Sequence, residues 1–281
     1  MTHARAGFSL LLVIGALTAG ALLASWAAQA SLTDARVASA MSSQARLSAA
    51  ADGALAWSAF QLADSETLEP IVADGRAYPV RIGSTPVTLR IVDETGLVDI
   101  NMASRELLQA AFEAAGAEPA LAQRLSAQTQ DWRDADEDRR PLGAERADYR
   151  DAPPTAFIGN RAFVAVEELR ALPAMNDALL EAAGPLFTVS GAEQPVAALA
   201  PPRVRAILED ADGWTAGARP VNIPQSGRYT AYIEARDASG AAFATAVRFD
   251  IVADRTGPHI LSRRRLSLGE ARTAIEGAHG P

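Results

Sequence analysis

The 281-residue chain contains no cysteine and no lysine, and its three histidines (His3, His259 and His279) all lie near the ends. Without cysteine there is neither a disulfide framework nor a thiolate metal site. Histidines placed at the termini leave no positioned imidazole for a zinc hydrolase or a Ser-His-Asp triad. All 26 basic residues are arginine, set against 34 acids for a net charge of -8. That balance is the wrong one for non-specific binding to nucleic acid, whose affinity comes from neutralising phosphates. Aromatic residues are scarce at 6%, yet hydrophobic residues reach 49%, a globular composition with enough apolar material for one or two domains with a buried core.

Charge is also missing locally. Residues 8–32 carry no ionisable side chain and are mostly Leu, Ala, Val, Ile and Gly. A bilayer core of about 30 Å needs roughly 20 apolar residues in helix, so this run is long enough to span one. The leader before it carries Arg5 and no acid, which places the N-terminus in the cytoplasm and the rest outside, with Trp26 at the outer interface. A cleavable secretory signal is the alternative, with small residues around Ala28 and Ala30 for a signal peptidase. Against it, the helical pattern continues: Val37, Met41, Ala45, Ser48, Ala51, Leu55, Ala59 and Leu62 recur at three- and four-residue steps, and no proline occurs before Pro70. One helix over residues 8–63 would be about 80 Å long. Its first half would lie in lipid, and its second half would lay an apolar stripe on a soluble domain.

Beyond it, residues 78–82 and 86–92 read as strands around a turn at Gly83-Ser84-Thr85. A helical region follows. Asn101 or Ser104 can cap a helix to about Ala115, Pro119 opens a second, residues 166–172 form a short helix closed by Pro173, and Asn176 caps another over 177–183. Residues 195–217 are Ala/Pro-rich with one short helix at 202–210. Tyr229, Ala231, Ile233 and Ala235, then Phe243, Val247, Phe249 and Ile251, alternate as strands, with an edge strand at 259–263. The expected fold class is α+β: a long N-terminal helix packed on a small antiparallel sheet, with a large all-helical insert. The expected segments are a leader at 1–7, a transmembrane segment at 8–32, the helix and first strands at 33–95, the insert at 96–191, a connector at 192–218, closing strands at 219–265 and a flexible tail at 266–281.

Inside the insert, Asp134, Asp136 and Asp138 stand at alternate positions, with Glu145 and Asp148 after them. Oxygen ligands alternating along a tight loop suit Ca²⁺, which takes six to eight of them. No glycine occupies the turning place of an EF-hand-like loop, and Arg139 and Arg140 could instead neutralise the acids as a solvated ion-pair cluster. Both readings stand at this level. Carboxylates crowded on one loop do not form the opposed pair that glycoside hydrolysis needs, and no catalytic residue emerges. Residues 101–125, helix–turn–helix, resemble a helix-hairpin-helix of DNA-uptake proteins. The second helix offers only Arg124 to phosphate, so packing is the stronger reading and a membrane-anchored DNA-binding protein the alternative.

Arg5-Ala6-Gly7-Phe8-Ser9-Leu10-Leu11 resembles the cleavage junction of type IV prepilins and type II secretion pseudopilins, which a membrane peptidase cuts after the Gly. Where most members carry a membrane-embedded Glu, this chain has Leu12. A carboxylate there costs about 2.5–3.5 kcal/mol unless a neighbouring subunit neutralises it. With Asp93-Glu94-Thr95-Gly96-Leu97-Val98-Asp99-Ile100-Asn101, Asp131-Trp132-Arg133-Asp134-Ala135-Asp136, Gly143-Ala144-Glu145 with Tyr149, and Phe163-Val164-Ala165-Val166-Glu167-Glu168-Leu169-Arg170, the chain resembles the minor pseudopilin K family of type II secretion systems. The resemblance implies a non-enzymatic, inner-membrane protein. It would be processed at Gly7 and Phe8 by prepilin peptidase and assembled on an inner-membrane platform. It would cap a periplasmic pseudopilus with other minor pseudopilins, and Leu12 would mark the tip. It also implies calcium in the insert, and no nucleic acid. Mass spectrometry of the mature chain should accordingly find an N-methylated Phe8; a terminus near Ala30 would exclude this reading.

Overall fold

The computed structural model describes residues 3–63, 71–149, 159–212, 226–252 and 257–271; the side chains at 3–12, 27, 28, 30, 32, 33, 147 and 210–212 lie outside the description. Helix α1 (His3–Ala63) is one uninterrupted element of 61 residues, about 90 Å long. It leads into the hairpin β1 (Asp74–Ile82) and β2 (Thr85–Asp93), and the helical region follows as α2 (Arg105–Ala114), α3 (Pro119–Arg133), α4 (Asp177–Ala183) and α5 (Pro202–Asp212). The two-residue strands β3 (Val98–Asp99) and β4 (Phe187–Thr188) lie within that region, and β5 (Arg228–Arg236), β6 (Ala242–Asp250) and β7 (His259–Arg265) close the chain. The main sheet is antiparallel throughout, ordered β1-β2-β5-β6-β7. This is the α+β architecture expected from the alternation of residues in the strands.

The second half of α1 packs on one sheet face. Leu47, Ala50, Ala51, Ala54, Leu55 and Ala59 are buried against Val87, Leu89, Ile91, Tyr229, Ala231, Ile233, Val247 and Phe249. Alternate residues of each strand point to this face, and the alanines let the helix lie close to it. The expected stripe is shorter than its periodicity: Val37 and Met41 are exposed, and burial begins at Leu47, where the helix reaches the sheet. Earlier still, Val13, Ile14, Leu17, Leu22, Leu23 and Trp26 are all exposed, Trp26 at 73%. Among the described residues no helix is long and apolar enough to cross a membrane.

The insert occupies the other face. Val92 and Tyr232 belong to its apolar core, in which Phe112 and Phe187 meet with ring centroids 5.0 Å apart. Its ends are pinched together by the parallel pairing of β3 with β4, Val98 opposite Phe187. Helix caps fall where short polar residues allow them. Ser104 Oγ accepts from Leu107 N–H at 3.2 Å, and Asn176 Oδ1 accepts from Leu179 N–H at 2.9 Å. Asn101 has other work, exchanging both hydrogen bonds with the Phe163 backbone. Residues 166–171 form a 3₁₀ turn rather than an α-helix. The Ala/Pro-rich stretch also packs here: Ala200, Val204, Ile207 and Leu208 join the insert core, so residues 200–208 extend the insert. Their spacing, a helical i, i+3, i+4 pattern from Val204, supplies the apolar face. At the far end Leu266 and Ala271 are buried beside Ala244, so the tail is docked at least to Ala271.

Insert and sheet are joined through one carboxylate. Glu94, 2% exposed, accepts from Arg248 Nε and Nη2 at 2.6 and 2.7 Å. It also accepts from the hydroxyls of Thr188 (2.8 Å), Ser190 (2.6 Å) and Thr230 (3.1 Å). Burial alone would raise the Glu94 carboxyl, but the hydrogen bonds from Arg248 and Ser190 outweigh it and hold the group below its ordinary 4.5. The stabilisation this contributes is complete above pH 4.5 and is lost as pH falls through the lower folded value. Removing one partner of such a pair costs about 3–5 kcal/mol, because a buried charge is left uncompensated. Denaturant unfolding should therefore show Arg248→Met destabilised by about that much at pH 7. The deficit should shrink toward pH 4, where Glu94 can take a proton; a deficit independent of pH would contradict this account.

Candidate cation site and relation to known proteins

Helix α3 sets the position of the acidic loop. Arg133, in its last turn, donates from Nη1 to Ile100 C=O and from Nη2 to Ala103 C=O, both at 2.8 Å, tying the helix end to the segment that opens the insert. Beside it Trp132 is buried, stacked on Phe163 at 5.4 Å and met edge-on by Tyr149 at 5.8 Å. The aromatic trio fixes both ends of the loop, and burial, reinforced by the Asp131 charge, pushes the Tyr149 hydroxyl up.

Three of the five expected ligands converge. Asp134, Asp136 and Glu145 each place a carboxylate oxygen within 4.8 Å of the others. Asp138 is outside this trio, its backbone N–H donating to Asp136 Oδ1 at 2.8 Å. Asp148 is outside it too and acts on the loop's shape: it accepts from Glu145 N–H at 2.9 Å and pairs with Arg139 at 3.2 Å. Asp131 is fully buried and accepts from Arg140 Nη1 at 2.8 Å and Arg140 N–H at 3.2 Å. Gly143 lies so close that a Cβ there would overlap the Asp131 carboxylate. Arg140 also pairs with Asp134.

The ion pairs and the convergent trio thus occupy different parts of the same loop. Arg140 satisfies Asp131 and one oxygen of Asp134. Glu145 is 5% exposed, and neither of its carboxylate oxygens has a hydrogen-bond partner among the described residues; Asp134 Oδ1 is in the same condition. Buried carboxylate oxygens without donors are costly, and either a proton or a divalent cation offsets that cost. The donor set, all oxygen with no nitrogen or sulfur, fits a hard cation such as Ca²⁺. Burial, and then the charges of Asp131, Asp134, Glu137 and Asp136, push the Glu145 carboxyl up to about 7. Gly7, Phe8 and Leu12 fall in the first turns of α1, at positions whose side chains are outside the description.

A long helix on an antiparallel sheet, with a helical domain inserted between adjacent strands β2 and β5, defines an α+β fold with a large insert. Residues 89–192 match the family model of type II secretion system (T2SS) protein K. The match covers the second half of β2 and most of the insert, 104 of the 281 residues, and over that segment the chain resembles the family. Among solved structures, a chain in the crystal structure of the GspK-GspI-GspJ complex from the enterotoxigenic Escherichia coli type 2 secretion system has the same fold. Its TM-score is 0.55 at 13% identity, over 83% of this chain and 99% of that one. No curated protein matches the sequence.

In protein stripped of divalent ions, the native state keeps the Glu145 proton to about pH 7, whereas the unfolded chain releases it near 4.5. The unfolded state therefore binds fewer protons between those values, and stability falls as pH rises across that window. Melting in EDTA at pH 5, 6, 7 and 8 should show this decline in the wild type and its absence in Glu145→Gln. Parallel curves for the two proteins would refute the assignment.

Proposed function

We propose that this protein is a minor pseudopilin that caps the tip of a periplasmic type II secretion pseudopilus. It works by assembly rather than catalysis and supports export of folded proteins across the outer membrane. The observation that carries this reading is the contrast between the two halves of α1. The second half is buried on the sheet, while the first projects apolar side chains, from Val13 to Trp26, that are exposed among the described residues. Such a surface needs a bilayer or other apolar helices to cover it. In this proposal the uncharged run at 8–32 is a single-pass inner-membrane anchor before assembly and a packing element among other minor pseudopilins afterwards. Processing by prepilin peptidase between Gly7 and Phe8, and passage through the inner-membrane assembly platform, fit the same sequence. Leu12, lacking the carboxylate that would need a subunit above, suits the terminal position.

The insert supplies the cap. It stands between β2 and β5 on the sheet face opposite α1 and would obstruct a further subunit. Asp134, Asp136 and Glu145 would hold calcium within it, where the ion's charge would offset the buried carboxylates. The bulk of the chain would then be periplasmic, where free Ca²⁺ exceeds cytosolic levels.

The register offers a test. Asp93 is opposite Tyr229 in neighbouring antiparallel strands, so a short turn can join β2 directly to β5. Replacing residues 95–226 with such a turn should leave membrane insertion intact but abolish tip capping and secretion. Normal secretion by that variant would exclude the capping role.

A further inference from the structure

We propose that Arg140 is a built-in competitor for the divalent ion: it closes the acidic loop in the ion's absence and leaves Asp134 when the ion binds. The inference rests on the cation reading above and concerns what this chain's own arginine does there. Asp134 is divided between two tasks. Its Oδ2 is held by Arg140 Nη1, while its Oδ1 is buried with no hydrogen-bond partner among the described residues. A calcium shell of six to eight oxygens is built partly from carboxylates that grip with both oxygens. While Arg140 holds Oδ2, Asp134 has only one oxygen to give, whereas Glu145 has both. Releasing the guanidinium frees the second Asp134 oxygen and removes a positive charge from beside the ion.

Arg140 is suited to leaving. Its side chain is 38% exposed, and it lines an open groove with Arg124, Gln128, Arg139, Pro141 and Leu142, which gives it space to rotate into. Its backbone N–H stays on Asp131 Oδ2 whichever way the side chain turns, so the loop remains pinned during the exchange. The arginine is also an incomplete substitute for the ion. It reaches Asp131 and Asp134 at one end of the cluster, while both Glu145 oxygens remain without a donor. A single guanidinium therefore covers the acids well enough to keep the empty loop folded, and a divalent ion covers them better. The opposing possibility is that Arg140 is a positioning residue that holds Asp131 and Asp134 in place for the ion; it predicts the opposite sign.

Titration calorimetry with calcium chloride on the full chain in detergent micelles decides between them. Arg140→Gln should bind calcium about tenfold more tightly than wild type, the factor that follows if the arginine-free arrangement is populated roughly a tenth of the time. Arg140→Lys, which keeps the charge but loses the fork, should fall between the two. Weaker or equal binding by Arg140→Gln would overturn the proposal. So would failure of both variants to fold even with calcium present, because the guanidinium would then be a fixed structural counter-ion. If wild type, both variants and Asp134→Asn are all silent to calcium, the cation site itself is removed and this inference goes with it.

Discussion

Glu94 is where the two parts of this protein hold each other. Its carboxylate takes donors from β5 (Thr230), β6 (Arg248), β4 (Thr188) and the turn after β4 (Ser190). The chain leaves the sheet at the neighbouring residue, Asp93, whose own carboxylate accepts from Thr95 N–H at 2.9 Å and from Ser226 N–H, where the chain returns, also at 2.9 Å. Two adjacent acids thus receive both ends of an excursion of more than a hundred residues between strands that are hydrogen-bonded neighbours. Closing a loop of that length costs entropy that grows only slowly with length, so a domain can be accommodated there provided its ends are held. The acids supply that hold. The same requirement fixes Gly96, where a Cβ would overlap the Leu199 carbonyl, and Asp99, which accepts from Gly191 N–H at 2.6 Å.

From this junction the insert's order passes to the acidic loop by a short route. The segment opening the insert presents Ile100 and Ala103 carbonyls to Arg133, and Asn101 to Phe163. Those contacts seat Trp132 between Phe163 and Tyr149, so the last turn of α3 and the end of the loop belong to the core. Between them Ala144 still reaches the core, and the rest is shaped mostly by carboxylates, arginines and the Asn160 amide. The loop is thus anchored at both ends, with carboxylate oxygens of Asp134 and Glu145 between them that have no hydrogen-bond partner among the described residues.

Elements whose signals are local could be read from the sequence. The period-two residues of β5 and β6, the caps at Ser104 and Asn176, and the proline opening α3 each act on their own neighbourhood, and the structure places them as expected. What could not be read depends on distant partners. The α1 stripe continues through Val37 and Met41 in sequence, but burial starts only where the sheet begins, and no periodicity encodes that limit. Residues 200–208 have the composition of a connector, and only the insert's open flank makes their apolar face part of a core. Glu94 and Arg248 stand 154 residues apart, so neither reveals the other. In the acidic loop the alternation of Asp134, Asp136 and Asp138 suggested equivalent ligands. The backbone turn instead directs Asp138 N–H onto Asp136 and leaves the Asp138 carboxylate outside the trio, while Glu145 arrives from further along the chain.

The division of α1 follows from the same distinction between satisfied and unsatisfied surfaces. Where the helix meets the sheet, its small residues allow close contact, and even the buried Ser58 hydroxyl is returned to its own helix, donating to Leu55 C=O at 2.8 Å. Toward the N-terminus the backbone is equally regular, but its apolar side chains face outward, and Thr18 Oγ1 donates to Gly15 C=O at 2.9 Å. A hydroxyl bonded within its own helix demands nothing from its surroundings, a condition that suits lipid and helix–helix contact alike. Residues 8–32 contain no carboxylate to tie this segment to a particular neighbour. The two halves of α1 thus differ in what covers them: the second is buried on the sheet, whereas the described apolar side chains from Val13 to Trp26 are exposed.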